Sequence, residues 1–205
     1  MPEVGALLLD LDGTLVDSED FHRQTFRTWF TARGWAVDEA VLDTFTGRRA
    51  DDVLAAEPGP WAGEDVSVLL AEILAHADGL PRPALAEGAA ELLTRAALPL
   101  ALVTSADTAW ARTCLGDLLD RFAVVVTRDE VRAGKPHPEP YRLAVSTLGV
   151  PAHRCLAVED APAGITSALG AGIGTVVAVT STFGAADLAA AHVVVSSLDE
   201  VRALL

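Results

Sequence analysis

The sequence predicts an α/β fold: a three-layer sandwich on a mainly parallel, Rossmann-like sheet, with a small α-helical cap inserted after the first strand. Three observations predict it. Short apolar runs recur along the chain. Helical stretches separate most of them. One long gap, residues 17–85, holds helical patterns but no convincing strand.

Residues 4–9, Val-Gly-Ala-Leu-Leu-Leu, form the first run and end at Asp10. A continuous apolar run of this length suits a strand covered on both faces, as in parallel sheets. Similar runs lie at Leu98–Val103, Phe122–Val126, Cys155–Val158, Gly174–Val179 and His192–Val195. Helices are expected at Ala86–Arg95, Thr108–Leu119, Glu139–Leu148 and Gly164–Ala171. Asp107 is placed to cap the helix near residue 108. Gly170, Gly172 and Gly174 lack the GxGxxG spacing and enter a strand rather than leave one, so they read as a helix stop and turn.

In the gap, Asp20–Arg33 reads as a helix with Phe21, Phe26, Trp29 and Phe30 on or near one face. Asp38–Phe45 and Asp65–Ala77 read as further helices, and Pro58-Gly59-Pro60 and Pro81-Arg82-Pro83 interrupt the pattern. The expected division is an α/β core from residues 1–16 and 86–205 and a helical cap from 17–85. Asp17 and Ser18 read as hinge and helix-capping residues. Trp29, Trp35, Trp61 and Trp110 read as packing residues.

Composition narrows the function. The chain has 205 residues, 51% of them hydrophobic, which is enough for a sizeable core and excludes disorder. Apolar runs fall short of a membrane span, and Met1-Pro2-Glu3-Val4 opens no secretory signal, so a cytoplasmic protein is expected. Cys114 and Cys155 form no CxxC pair and read as reduced thiols. A formal charge of −14 disfavours nucleic-acid and acidic-membrane partners. It also repels phosphorylated metabolites, so a site for one needs its own positive charge or a metal. Among Lys and Arg, every basic residue is Arg except Lys135, a hint that this position requires a compact ammonium.

Ligands of parallel α/β sheets bind beyond the carboxyl ends of the strands. Asp10-Leu11-Asp12-Gly13-Thr14 follows the first run and Thr104-Ser105 the second. Gly134-Lys135-Pro136 lies on a loop beyond the third, and Glu159-Asp160 follows the fourth. Carboxylates, hydroxyls and one ammonium therefore converge on one sheet edge. Phosphoryl transfer needs this set: a nucleophile, charge neutralisation and a proton donor for the leaving oxygen. Asp10 and Asp12 are two residues apart, so extended geometry points both the same way, and Gly13 permits a tight turn. One carboxylate can attack phosphorus while the other moves the proton. The carboxylates of Asp10, Asp12 and Asp160 would repel one another, and Mg2+, with its preference for hard oxygen ligands, relieves that. Thr104, Ser105 and Lys135 can hold the phosphoryl oxygens.

Asp10-Leu11-Asp12-Gly13-Thr14-Leu15-Val16-Asp17-Ser18 closely resembles the first motif of the haloacid dehalogenase (HAD) superfamily. Val103-Thr104-Ser105, Gly134-Lys135-Pro136 and Val158-Glu159-Asp160 resemble its second, third and fourth motifs, in the same order. The resemblance implies that Asp10 is the nucleophile and Asp12 the general acid/base. It implies that Thr104 and Lys135 hold the phosphoryl group. Asp10, the backbone carbonyl of Asp12, and Asp160 would bind Mg2+, with Glu159 close by. True dehalogenases lack the second Asp, so Asp12 points to phosphate-ester chemistry.

The strings Gly134–Tyr141 and Val158–Gly164 look most like bacterial sugar or polyol phosphate phosphatases, with the β-phosphoglucomutase branch as neighbour. His22 falls where that branch carries a cap-hinge His. The cap Lys and Arg that the mutase uses for its second phosphate align with Thr46 and Ala50, with Arg48 and Arg49 between them. Arg48 and Arg49 read either as cap residues closing over substrate or as a solvated helix start beside Asp51 and Asp52. His22 reads either as a proton-transfer and hinge residue or as a structural one. The expected protein is thus a cytoplasmic, Mg2+-dependent phosphatase for a small phosphorylated metabolite, monomeric or homodimeric. The alternatives are a sugar phosphomutase and, more remotely, a receiver-like module phosphorylated on Asp.

Overall fold

A computed structural model describes residues 4–78 and 80–205. The reading of Met1-Pro2-Glu3 lies outside those residues. Six strands form one sheet in the order β3-β2-β1-β4-β5-β6. They are β1 Ala6–Leu9, β2 Leu100–Val103, β3 Val124–Val126, β4 Cys155–Glu159, β5 Thr175–Val179 and β6 Val193–Val195. Every pairing is parallel, with Leu7 opposite both Leu100 and Leu156. All six coincide with apolar runs in the sequence.

Strand periodicity separates two cores. Leu7, Leu9, Leu102 and Val158 face one side, where they meet α5 (Ala89–Arg95), α6 (Thr108–Leu115) and α9 (Leu198–Arg202). Leu8, Ala101, Val103 and Ala157 face the other, against α7 (Glu139–Leu148) and α8 (Pro162–Gly170). Burial on both faces explains why the strands lack polar alternation. The chain builds β1-β2-β3 outward, then returns to place β4 on the other side of β1. This switch point opens the crevice between the carboxyl ends of β1 and β4, where ligands of such sheets bind.

Between β1 and β2 lie α1 (Glu19–Ala32), α2 (Glu39–Asp43), α3 (Ala50–Ala56) and α4 (Val66–Ala77). They bury a separate cluster that includes Phe26, Trp29, Phe30, Leu42, Phe45 and Trp61. The two crossings to this insertion run side by side. Val16 bridges Leu85, Asp17 N donates to Ala84 O (2.9 Å), and Ala86 N donates to Leu15 O (2.9 Å).

Some expectations need correction. The helix expected over 38–45 is regular only at Glu39–Asp43, capped by Asp38 accepting from Val41 N. The helix expected over 108–119 ends at Leu115, because Gly116 leaves the helical region at φ +52° and a 3-10 segment follows. Helix α9 is not among the expected helices, and α3 matches only the helix start that is one of two readings of Arg48 and Arg49. Each spans two turns or fewer, too short for a periodic signal. Asp107 does cap α6, accepting from Trp110 N at 2.7 Å.

Candidate active site

Backbone pairing aims Asp10 into the crevice. Leu9 ends β1, and Asp10 N still donates to Val158 O of β4 at 3.1 Å. Glu159 closes β4 and Asp160 follows it. Thr104 continues β2, its N donating to Val126 O at 2.9 Å. Lys135 comes from the loop between β3 and α7, ahead of a cis Lys135–Pro136 bond. Gly13 turns the chain back at φ +77°. Its position admits no side chain, since a Cβ there would lie 2.0 Å from Asp160 Oδ2 and 2.4 Å from Thr182 Oγ1.

The floor is a buried ionic cluster. Lys135 Nζ donates to Asp10 Oδ1 at 2.5 Å and to Glu159 Oε1 at 2.6 Å. Tyr141, wholly buried, donates its hydroxyl to the same Glu159 oxygen at 2.5 Å. Burial raises the Asp10 carboxyl well above its usual range; Lys135 opposes that, and Glu159 and Asp160 add to it. Burial and then Glu159 push Asp160 up to about 7. Burial alone would lower the Lys135 ammonium, but Asp10 and Glu159 raise it, so it stays charged.

Asp12 sits apart from this cluster, with its side chain a quarter exposed. Ser18 Oγ donates to Asp12 Oδ1 at 2.7 Å, Trp110 Nε1 donates at 2.9 Å, and His22 Nε2 lies 3.0 Å away. Burial would raise the Asp12 carboxyl, but the facing His22 and the hydrogen bonds of His22, Ser18 and Trp110 bring it below its ordinary value.

A divalent cation fits the floor. One oxygen from each of Asp10, Glu159 and Asp160 lies within 4.8 Å of the others. Asp160 Oδ1 is buried and has no hydrogen-bond partner among the described residues. Three crowded carboxylates, two with raised pKa, form a hard-oxygen donor set that an ion such as Mg2+ stabilises. The Asp12 carboxylate is outside this group.

Above the floor lies a cavity of about 240 Å³ between sheet edge and insertion. Its upper wall is largely apolar, with Phe26, Leu42, Phe45, Ile73 and Leu74. Ser105, Thr46 and Ala50 line it, the Ser105 Oγ being buried without a protein partner among the described residues. Arg48 and Arg49 reach the cavity edge, and each turns guanidinium donors to protein partners, though Arg49 Nε is buried without one among the described residues. Arg48 pairs with Glu57 at 2.8 Å. Arg49 crosses to the core and donates to the carbonyls of Arg128 (2.9 Å), Val131 (3.1 Å) and Arg132 (3.4 Å). That loop leads to Lys135.

A family model for haloacid dehalogenase-like hydrolases matches residues 4–172. The chain belongs to that family and is a hydrolase. Relatives extend over nearly its whole length. Validoxylamine A 7'-phosphate phosphatase of Streptomyces hygroscopicus subsp. limoneus is 40% identical, over 95% of this chain and 94% of its own. Hexitol phosphatase A of Escherichia coli (strain K12) is 34% identical, over 95% and 91%. The crystal structure of CbbY from Rhodobacter sphaeroides in complex with phosphate superposes with a TM-score of 0.78 at 28% identity, covering 97% of this chain and 96% of that one.

The structure thus brings together Asp10, Lys135, Glu159 and Asp160, sets Asp12 beside His22, and places Thr104 and Ser105 on the cavity wall. Ser18 stands at the N-cap of α1, but its hydroxyl bonds Asp12 and makes no cap bond. Sequence reasoning missed Trp110, Tyr141 and Thr182 as site neighbours. Tyr141 had a faint signal, a polar ring facing inward on an otherwise apolar helix side. Nothing in the sequence distinguished Trp110 from the three other tryptophans.

Proposed function

We propose that this chain hydrolyses a small sugar or polyol phosphate monoester through an aspartyl-phosphate on Asp10. The coarser class is a phosphoric monoester hydrolase of the haloacid dehalogenase type. The observation that carries the mechanism is the division of labour between two carboxylates. Asp10 is buried against Lys135, while Asp12 is held aside with its own donors.

In the first step the negative charge of the bound phosphoryl group brings Asp12 to its acid form, an Asp10 oxygen attacks phosphorus, the ester P–O bond breaks, and Asp12 gives its proton to the departing alkoxide. In the second step Asp12 takes a proton from water as that water attacks phosphorus. The bond from Asp10 to phosphorus breaks and inorganic phosphate leaves. Lys135, Thr104 and Ser105 bind the phosphoryl oxygens, Lys135 holding a fixed positive charge where negative charge gathers. Asp10, Asp160, Glu159 and the backbone carbonyl of Asp12 would hold Mg2+, which when bound neutralises phosphoryl charge. Residues 17–85 act as a cap over a core formed by 1–16 and 86–205. His22, Arg48 and Arg49 serve at the cap boundary, His22 beside Asp12 and the arginines in shaping the closed cavity.

The phosphatase relatives support the substrate class. Thr46 and Ala50 offer the cavity no cation for a second phosphate, which favours water over a sugar hydroxyl as acceptor. Among the described residues no helix is long and apolar enough to cross a membrane, which accords with a cytoplasmic enzyme acting on a free metabolite. Phosphate release from a panel of sugar and polyol phosphates tests the reading. Activity is expected with Mg2+, is lost on chelation, and returns on adding the ion. Asp10→Asn is expected to abolish turnover. Undiminished activity in that variant would remove Asp10 as nucleophile.

A further inference from the structure

We infer that Trp110 is a positioning residue for proton transfer, its indole N–H holding Asp12 in place to protonate the leaving group. The inference rests on the reading of Asp12 as general acid. Its basis is geometric. Three groups converge on a single oxygen of Asp12: Ser18 Oγ at 2.7 Å, Trp110 Nε1 at 2.9 Å and His22 Nε2 at 3.0 Å. Among the described residues, Oδ2 accepts no hydrogen bond and so stays available for the proton. Ser18 and His22 belong to the start of the inserted segment, at the head of α1. Trp110 alone comes from the core, from the first turn of α6, which Asp107 pins through Trp110 N at 2.7 Å. The indole also stacks on Phe21 of α1, with centroids 4.9 Å apart and planes at 29°, and lies 5.5 Å from the His22 ring. One side chain therefore references Asp12 to the sheet that carries Asp10 and braces the helix that carries its other donors.

A positioned acid matters in proportion to how badly the leaving group needs a proton. An alkyl alkoxide needs one; 4-nitrophenolate does not. The test measures kcat/KM, which reports the steps through alcohol departure, for a polyol phosphate and for 4-nitrophenyl phosphate. Trp110→Phe keeps a ring on Phe21 and removes the N–H. It is expected to lower the alkyl-to-aryl ratio of kcat/KM about tenfold or more, since small misplacements of catalytic groups cost on that order. A Trp110 analogue with sulfur in place of the N–H, inserted at this codon alone, keeps the full shape and is expected to do the same. Trp110→Phe and the analogue both leaving the ratio at its wild-type value, while Asp12→Asn collapses it, would overturn the role of Trp110 and leave the phosphatase reading intact. An unchanged ratio in Asp12→Asn would overturn both. Equal losses on both esters in Trp110→Phe would reduce the residue to packing.

Discussion

Tyr141→Phe removes one oxygen from the buried ionic cluster and nothing else. The phenol is wholly buried, and its hydroxyl donates to Glu159 Oε1 at 2.5 Å. The acceptor is a carboxylate, so the bond belongs to the charged class, with a net contribution of about 1.5–3 kcal/mol. Glu159 Oε1 is not orphaned by the change, because Lys135 Nζ remains at 2.6 Å. The expected cost is therefore the bond itself, without an added penalty for an unpaired buried charge. With a urea slope of about 2 kcal/mol/M, the unfolding midpoint falls by about 1 M. Urea titration followed by tryptophan fluorescence and circular dichroism measures it. A double-mutant cycle with Glu159→Gln isolates the pair and is expected to give a coupling of about 1 kcal/mol or more. A loss below about 0.5 kcal/mol, with no coupling, would refute the hydrogen bond from Tyr141 to Glu159.

Other substitutions probe the rest of the frame. Gly13→Ala places a methyl 2.0 Å from Asp160 Oδ2 in a backbone at φ +77°, so a stability loss of about 1–3 kcal/mol and a fall in phosphate release are expected together. Arg49→Met removes the donors for three core carbonyls on the loop before Lys135. It is expected to lower stability by about 1–3 kcal/mol and to speed proteolysis near residues 16–17 and 84–85, which limited digestion reads directly. Asp65 caps α4 through Ser67 and Val68, and these hydrogen bonds hold its carboxyl below the usual range. Its folded pKa lies below its unfolded one, so its contribution is present above the unfolded value, near 4, and is lost as pH falls through the folded one. The stability gap between wild type and Asp65→Ala, followed by thermal melts from neutral to acidic pH, is expected to narrow in acid.

The legible parts of this protein are those written in contiguous residues. Six apolar runs gave six strands, because a strand covered on both faces must be apolar throughout. The Asp10-Leu11-Asp12-Gly13 string carried part of its geometry, a glycine where the turn needs φ +77°. The solitary lysine also spoke, since Lys135 is the ammonium buried between Asp10 and Glu159. Helix α9 was silent and α3 showed only as a helix start at Arg48-Arg49, both being shorter than the window in which a 3.6-residue period is visible.

The order of the sheet is a different matter. No local pattern states that β4 returns to lie beside β1, yet that placement brings Asp160 to Asp10, 150 positions away in the chain. Arg49 reads locally as a cationic helix start, and only the packing of insertion on core turns it toward three carbonyls of a distant loop. Trp110 shows the limit most clearly. Sequence alone determined which groups could perform phosphoryl chemistry and on which sheet edge they would stand. Tertiary structure decided which side chains hold them there, because hydrogen-bond partners across 98 positions depend on how helices pack, and packing leaves no periodic trace in either segment.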